Sequence, residues 1–162
     1  MFREMRRKKQ ALPEEQCRRI LEEGEYGVLA LLGEGGYPYA VPLNYALFGG
    51  KLYFHCAREG HKIDAIRGCK KASFCVVSRA DAVPEEYTTY FESAIAFGQV
   101  RIMGEGEKRA AAEAFADRFV HLGDAARDRE IDKFFPSLCM LEMTVEHVTG
   151  KRAIELTPRE DT

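Results

Sequence analysis

Residues 52–69, LYFHCAREGHKIDAIRGC, run from a strand through a short polar loop straight into a helix, and the rest of the chain is read outward from this junction. Leu52 and Phe54 alternate with Tyr53 and His55, so the strand has two faces and His55 points wherever Tyr53 points. After Gly60 a helix begins with His61 and Lys62, carries Ile63 and Ile66 on one side, and stops near Gly68. A helix start offers free backbone amides and the positive end of the helix dipole, and an anion suits both. Lysine adds a point charge there, and a histidine beside phosphate gains its proton more readily. The same residues also suit a solvated first turn with a surface histidine, so the local pattern leaves both readings open.

Upstream, Pro13, the acids Glu14 and Glu15, apolar Cys17, Ile20 and Leu21, and Gly24 as a stop predict a short amphipathic helix. From Tyr26 the period changes. YGVLALL, a GEGG turn, PYAVPLNYALF, a Gly49-Gly50 turn and KLYFHCA predict a three-strand meander. Pro42 cannot donate to a ladder, which places it at an edge, at a bulge or against a ligand.

Downstream, KASFCVVS predicts a strand and residues 79–87 a polar loop. The next strand, TTYFESAIAFGQVRIMG, is too long to stay flat, and Gly98 marks its bend. EKRAAAEAFADRFVHL predicts a helix with Phe115, Phe119 and Leu122 on one face, and residues 127–135 a shorter helix before Pro136. LCMLEMTVEHV predicts the last strand, with Cys139, Leu141, Met143 and Val145 facing the core, and a break at Gly150. Six strands, mostly joined by tight turns, predict an antiparallel β-barrel with peripheral helices in a single domain spanning residues 1–162.

The 24 basic and 26 acidic residues nearly cancel, which argues against nucleic acid or a membrane surface as the main partner. No apolar run approaches the roughly 18 residues of a membrane span, and the charged start FREMRRKKQ has no apolar stretch behind it, so the expectation is a cytoplasmic protein. Residues 1–10 read as a solvated basic arm. Five cysteines without a C-x-x-C pair predict reduced core thiols and no metal site. His121 and His147 have no telling partner, and Glu92, Glu142 and Glu146 read as outward, solvated strand residues. No P-loop, G-x-G-x-x-G motif or nucleophile elbow is present.

Taken in order, RRKKQ, YGVLAL, PLNYAL, LYFHCAREGHKIDAI, FESAIAFGQV and VTGKRA resemble the nitroimidazole-resistance (Nim) branch of the pyridoxamine-phosphate-oxidase-like flavin proteins across nearly the whole chain. The resemblance implies a six-stranded split β-barrel homodimer with FMN at the subunit interface. It implies that His61 and Lys62 hold the FMN phosphate, with Ser93 as a further contact, and that the backbone of Val41, Pro42, Leu43, Asn44 and Tyr45 lies along the flavin ring. His55 matches the histidine beside the flavin or substrate, as proton donor or orienter. Lys151 and Arg152 match a basic end that reaches the cofactor of the same or the other subunit.

FMN would carry the redox chemistry, with a nitroimidazole-like or other small electrophile as electron acceptor. The chain departs from a true pyridoxamine 5'-phosphate oxidase, since it has no tryptophan and ends VTGKRAIELTPREDT. That activity therefore stands as an alternative, beside a non-catalytic flavin-binding or electron-carrier protein.

Overall fold

Tyr45 is where the sheet changes edges. The structure, a computed structural model that describes residues 2–119 and 123–157, contains seven antiparallel strands. They are β1 (Tyr26–Leu32), β2 (Pro38–Asn44), β3 (Ala46–Phe48), β4 (Lys51–Ala57), β5 (Lys71–Val83), β6 (Thr88–Ile102) and β7 (Leu138–Arg152). Their order is β2-β1-β5-β6-β7-β4-β3. The two outer strands are thus neighbours in sequence, and the sheet curls into a barrel that does not close: a split barrel.

The sequence suggests one strand where the structure has β2 and β3, which accounts for seven strands instead of six. Asn44 pairs with Tyr26 of β1, and Ala46 pairs with Tyr53 of β4. Between them the Tyr45 ring is fully buried, edge-on to Phe74, and its hydroxyl donates 2.7 Å to the Leu21 carbonyl. Burial pushes the phenol up to about 12, so it remains a donor. Pro42 lies opposite Val28 on an edge strand, where a missing donor is tolerated.

The long strands bend where their registers slip. At Phe97/Gly98 a side chain on residue 98 would run into the Thr144 carbonyl, which explains the glycine at the expected bend. The polar segment after Ser78 is not a loop. β5 continues past a second slip at Val77/Arg79 to pair Val83 with Thr88, forming a ribbon closed by one turn at Pro84–Glu86. Nor does β7 break at Gly150. The strand continues to Arg152, and the glycine makes room for Leu12 and Cys17.

Among the described residues four α-helices cover the sheet. α1 (Glu14–Glu23) and α2 (His61–Gly68) bury Cys17, Ile20, Leu21, Ile63 and Ile66 against Leu29, Phe54 and Phe74 in the main core. α3 (Glu105–Phe119) and α4 (Asp124–Phe134) form a second cluster with Tyr53 and Met140 on the opposite face. α4 starts three residues earlier than its apolar spacing suggests. Leu122 and His121 lie outside the described residues. Arg118 of α3 donates to the carbonyls of Glu22 and Gly24 and lies over the Tyr45 ring, so α3 also caps α1. Among the described residues no helix is long and apolar enough to cross a membrane.

One surface expectation holds only in part and another fails, because both depend on neighbours distant in sequence; the arm's basic side chains are exposed as expected, but the arm itself is docked. The basic arm lies against β6 and β7. Phe2 stacks on His147 at 4.6 Å, Gln10 is buried and donates 3.1 Å to the Arg152 carbonyl, and the Leu12 amide bonds Gly150. Glu142 is only 5% exposed. It accepts from Arg101 at 2.8 Å, Lys51 at 3.1 Å and Tyr53 at 3.2 Å, because the registers set Arg101 and Tyr53 on either side of it. Glu146 is exposed as expected, and Glu92 is half-buried beside Arg152.

The Arg101 hydrogen bond, with Lys51 assisting, holds Glu142 below the usual carboxylate range against the opposing effect of burial. Arg101 also draws Glu107 down to about 2. Depressed carboxyls stabilise the fold fully above their unfolded value of about 4.3, and this contribution is lost as pH falls through the native values. Glu142→Ala is expected to cost about 1.5 to 3 kcal/mol at pH 7, the range for hydrogen bonds to a charged group. Denaturation measured from pH 7 to pH 2 should show a shallower acid loss in the variant than in the wild type.

Candidate functional site

β4 ends at Ala57, and three exposed residues later the chain enters α2 through Gly60, whose φ of +113° belongs to the region that favours glycine. The Gly60 carbonyl accepts from the amides of Ile63 at 2.9 Å and Asp64 at 3.2 Å. No side chain caps the helix, and among the described residues the His61 and Lys62 amides have no acceptor. Lys62 is half-buried and has no carboxylate partner among them. The His61 ring stacks on Tyr39 of β2 at 4.0 Å, and Gly33 leaves space for its Nε2. The β1–β2 hairpin therefore positions this helix start, whose open donors and unpaired ammonium fit a phosphate ester.

His55 lies on the α3 side of β4, as its alternation with Tyr53 implies. Its ring meets Phe115 edge-on at 4.8 Å. Beside it, between α3, α4 and the ends of β4 and β7, is a cavity of about 690 Å³ walled by Phe115, Phe119, Ile131, Phe134 and Met140. That size suits a small organic ligand. His55 is exposed to the cavity mouth, but its partial desolvation by the surrounding apolar side chains, and then the nearby Lys62 charge, lower the imidazole's pKa below its ordinary value, which favours the neutral ring at pH 7. It can then donate or accept one hydrogen bond in an otherwise apolar space. Arg127 also lines the cavity, but Asp117 at 2.6 Å and Asp128 at 3.1 Å hold its guanidinium. The wall from α3 and α4 escapes sequence reading, which sees Phe115 and Phe119 only as an apolar helix face.

The segment on β2 divides by side-chain direction. Val41 and Leu43 pack against the main core, Pro42 and Asn44 face outward, and Tyr45 is a core residue. A ligand could reach the 41–45 stretch through its backbone and the outward face of β2. Cys56 is directly opposite Cys139 across β4 and β7, and all five cysteines are free. Burial above all pushes the Cys56 thiol up to about 12.

Ser93 and Lys151 are direct cross-strand partners on β6 and β7. They line a cleft of about 280 Å³ with Arg6 and Arg7, and this cleft shares no residue with the His55 cavity. The Lys151 ammonium lies 5.1 Å from the Phe91 ring centre. Arg152 instead bonds Gln16 and the Leu156 carbonyl and pairs with Glu92. Of the sequence candidates, Lys62 lies close enough to His55 for its charge to act on the imidazole, His61 packs on Tyr39, and Ser93 and Lys151 form a separate pair.

The family profile described as pyridoxamine 5'-phosphate oxidase matches residues 13–152. No curated protein matches the sequence. A Bacteroides thetaiotaomicron structure provisionally named a 5-nitroimidazole antibiotic resistance protein is 20% identical, with 88% of this chain and 86% of that chain covered and a TM-score of 0.74. A FAD-binding protein from Mesorhizobium loti is 21% identical over 89% and 97% of the two chains, with a TM-score of 0.67. A FAD and heme binding protein from Mycobacterium smegmatis is 20% identical over 94% and 77%, with a TM-score of 0.74. At these identities the structural likeness speaks for the fold, and the profile match carries the family: the chain belongs to the pyridoxamine 5'-phosphate oxidase family.

Proposed function

We propose that this chain is a cytoplasmic flavoprotein oxidoreductase that binds FMN as a homodimer and reduces nitroimidazole-like or other small electrophilic substrates. The observation that carries the reading is the start of α2, where open amides and Lys62, which has no carboxylate partner among the described residues, follow directly on the strand end that carries His55 into the cavity. Family membership supports it, as do fold relatives named for FAD binding and for nitroimidazole resistance.

Bound flavin would supply the electron transfer. His61, Lys62 and the α2 amides would hold its phosphate, and the backbone of residues 41–45 would support its ring. The apolar α3–α4 wall would exclude water from the substrate, and neutral His55 would orient it by one hydrogen bond. Ser93 and Lys151 form a separate group within one chain, so their participation at the same flavin calls for a second copy. The alternative is a protein that binds flavin and carries electrons without reducing a substrate.

Purified protein is expected to be yellow, to release FMN on denaturation, and to be dimeric by light scattering. A colourless protein that FMN cannot reconstitute would overturn the reading. Anaerobic mixing of the reduced holoprotein with a nitroaromatic separates enzyme from carrier, since the enzyme must reoxidise faster than free reduced FMN.

Lys62→Ala should weaken FMN binding by about 1.5 to 3 kcal/mol, as for a lost hydrogen bond to a charged group. Equilibrium dialysis tests this, and unchanged affinity refutes the phosphate assignment. His55→Gln should retain FMN but slow turnover, by on the order of a hundredfold if His55 donates a proton. In that case turnover rises toward acid, through a pKa below the ordinary value of about 6.5. The rise should vanish in His55→Gln and move to higher pH in Lys62→Ala, because removing the ammonium favours the imidazolium. A pH-independent rate would leave His55 as an orienter.

A further inference from the structure

The alanines of α3 leave a gap where that helix meets α4. Ala112 and Ala116 lie one turn apart on the same face of α3, and Ala126 of α4 lines the same space. Methyl groups stand where larger side chains would fill the layer, and the room they leave is the cavity of about 690 Å³. Its walls are aromatic. Phe115 and Phe119 lie 5.1 Å apart, His55 meets Phe115 edge-on, and Phe134 of α4 remains 52% exposed at the lip. A planar ring entering there would cover that apolar surface.

The charges at the cavity are already matched. Arg127 meets Asp117 at 2.6 Å, Asp128 at 3.1 Å and Asp124 at 3.4 Å, and Glu130 lies 3.8 Å from Lys133. The Ser137 hydroxyl donates 3.0 Å to the Phe134 carbonyl. Lys62 acts on the His55 imidazole but does not line the cavity. Among the described lining side chains this leaves the imidazole to meet a polar atom of a ligand. An anion would give up its water and find no open cation in return. A lone nitroimidazole ring would leave most of the volume empty and forfeit the contacts that favour binding.

We infer that the α3–α4 cavity takes an uncharged, fused-ring aromatic ligand with a carbonyl or comparable acceptor at the His55 end, and rejects anionic analogues. The binding assignment stands on the cavity alone; that the ligand is the electron acceptor rests on the flavin reading above.

The test measures binding to the purified full chain by calorimetry. The uncharged probe is 2-(hydroxymethyl)anthraquinone, and anthraquinone-2-carboxylate is its anionic counterpart. Neither alkylates thiols, so Cys56 on the cavity wall is left intact. The uncharged probe should bind, and the carboxylate and 2-methyl-5-nitroimidazole should each bind about tenfold more weakly or worse. Ala116→Phe and Ala126→Phe fill the cavity from opposite helices, and either, with its thermal unfolding unchanged, should weaken the probe about tenfold or more. In His55→Leu the preference for the probe over 2-(hydroxymethyl)anthracene, which lacks the carbonyls, should disappear. No binding of the probe at its solubility limit, equal binding of either comparison compound, or unchanged binding in both filled variants overturns the assignment. So does displacement of the probe by saturating FMN, which would make the space the flavin's own. Probe binding by a chain that takes up no FMN refutes the flavin reading and leaves the cavity assignment standing. A chain that holds FMN but binds no probe overturns the cavity assignment alone.

Discussion

The bond from the Tyr45 hydroxyl to the Leu21 carbonyl fixes the one residue at which the chain leaves one edge of the sheet and joins the other. Since β2 and β3 are those edges, the whole curl of the barrel must bring its ends to within a single residue's reach. Phe74 braces the ring from β5, and Arg118 covers it from α3. The same tyrosine therefore ties together the end of α1, the middle of the sheet and the outer helical layer. If this point moved, the β1–β2 hairpin that supports His61 through Tyr39 would move with it.

Among the described residues the cations that brace α3 and α4 are paired, and those at the candidate sites are not. Arg101, Arg109 and Arg127 each meet two or more carboxylates, and Lys108, almost fully buried, donates to the Phe135 and Leu138 carbonyls at 3.0 and 3.2 Å. The Arg109 and Arg127 pairs join α3 to α4, while Arg101 and Lys108 tie α3 to the sheet. Lys62, Arg6 and Lys151 have no acidic partner among the described residues, and each lies at a concave or amide-rich place. Their positive potential is available to a ligand, whereas that of the scaffold cations is already neutralised.

Where a signal is local, the sequence carries it. The alternation of Leu52, Tyr53, Phe54 and His55 gives the correct faces, Gly60 gives the helix start, and Pro42 and Gly98 mark an edge and a bend. The misses are non-local. Glu142 reads as solvated because nothing nearby in sequence shows that Arg101, Lys51 and Tyr53 stand around it. The 79–87 stretch reads as a loop because a two-stranded ribbon exposed on both faces has the composition of one. At the site, Gly60, His61 and Lys62 are legible from their order alone. The wall around His55 and the arm over Ser93 become visible only when segments about 60 and 90 residues apart are folded together.

The opposed cysteines make this barrel its own reporter. Burial keeps the Cys56 thiol protonated at neutral pH, and Cys17 is likewise shifted upward inside the main core. Alkylating reagents need a thiolate they can reach. Cys56 is reached from the α3–α4 cavity that it lines, whereas modification of Cys17 is governed by how often α1 lifts from the sheet, so the pair separates reagent entry from local opening of the chain.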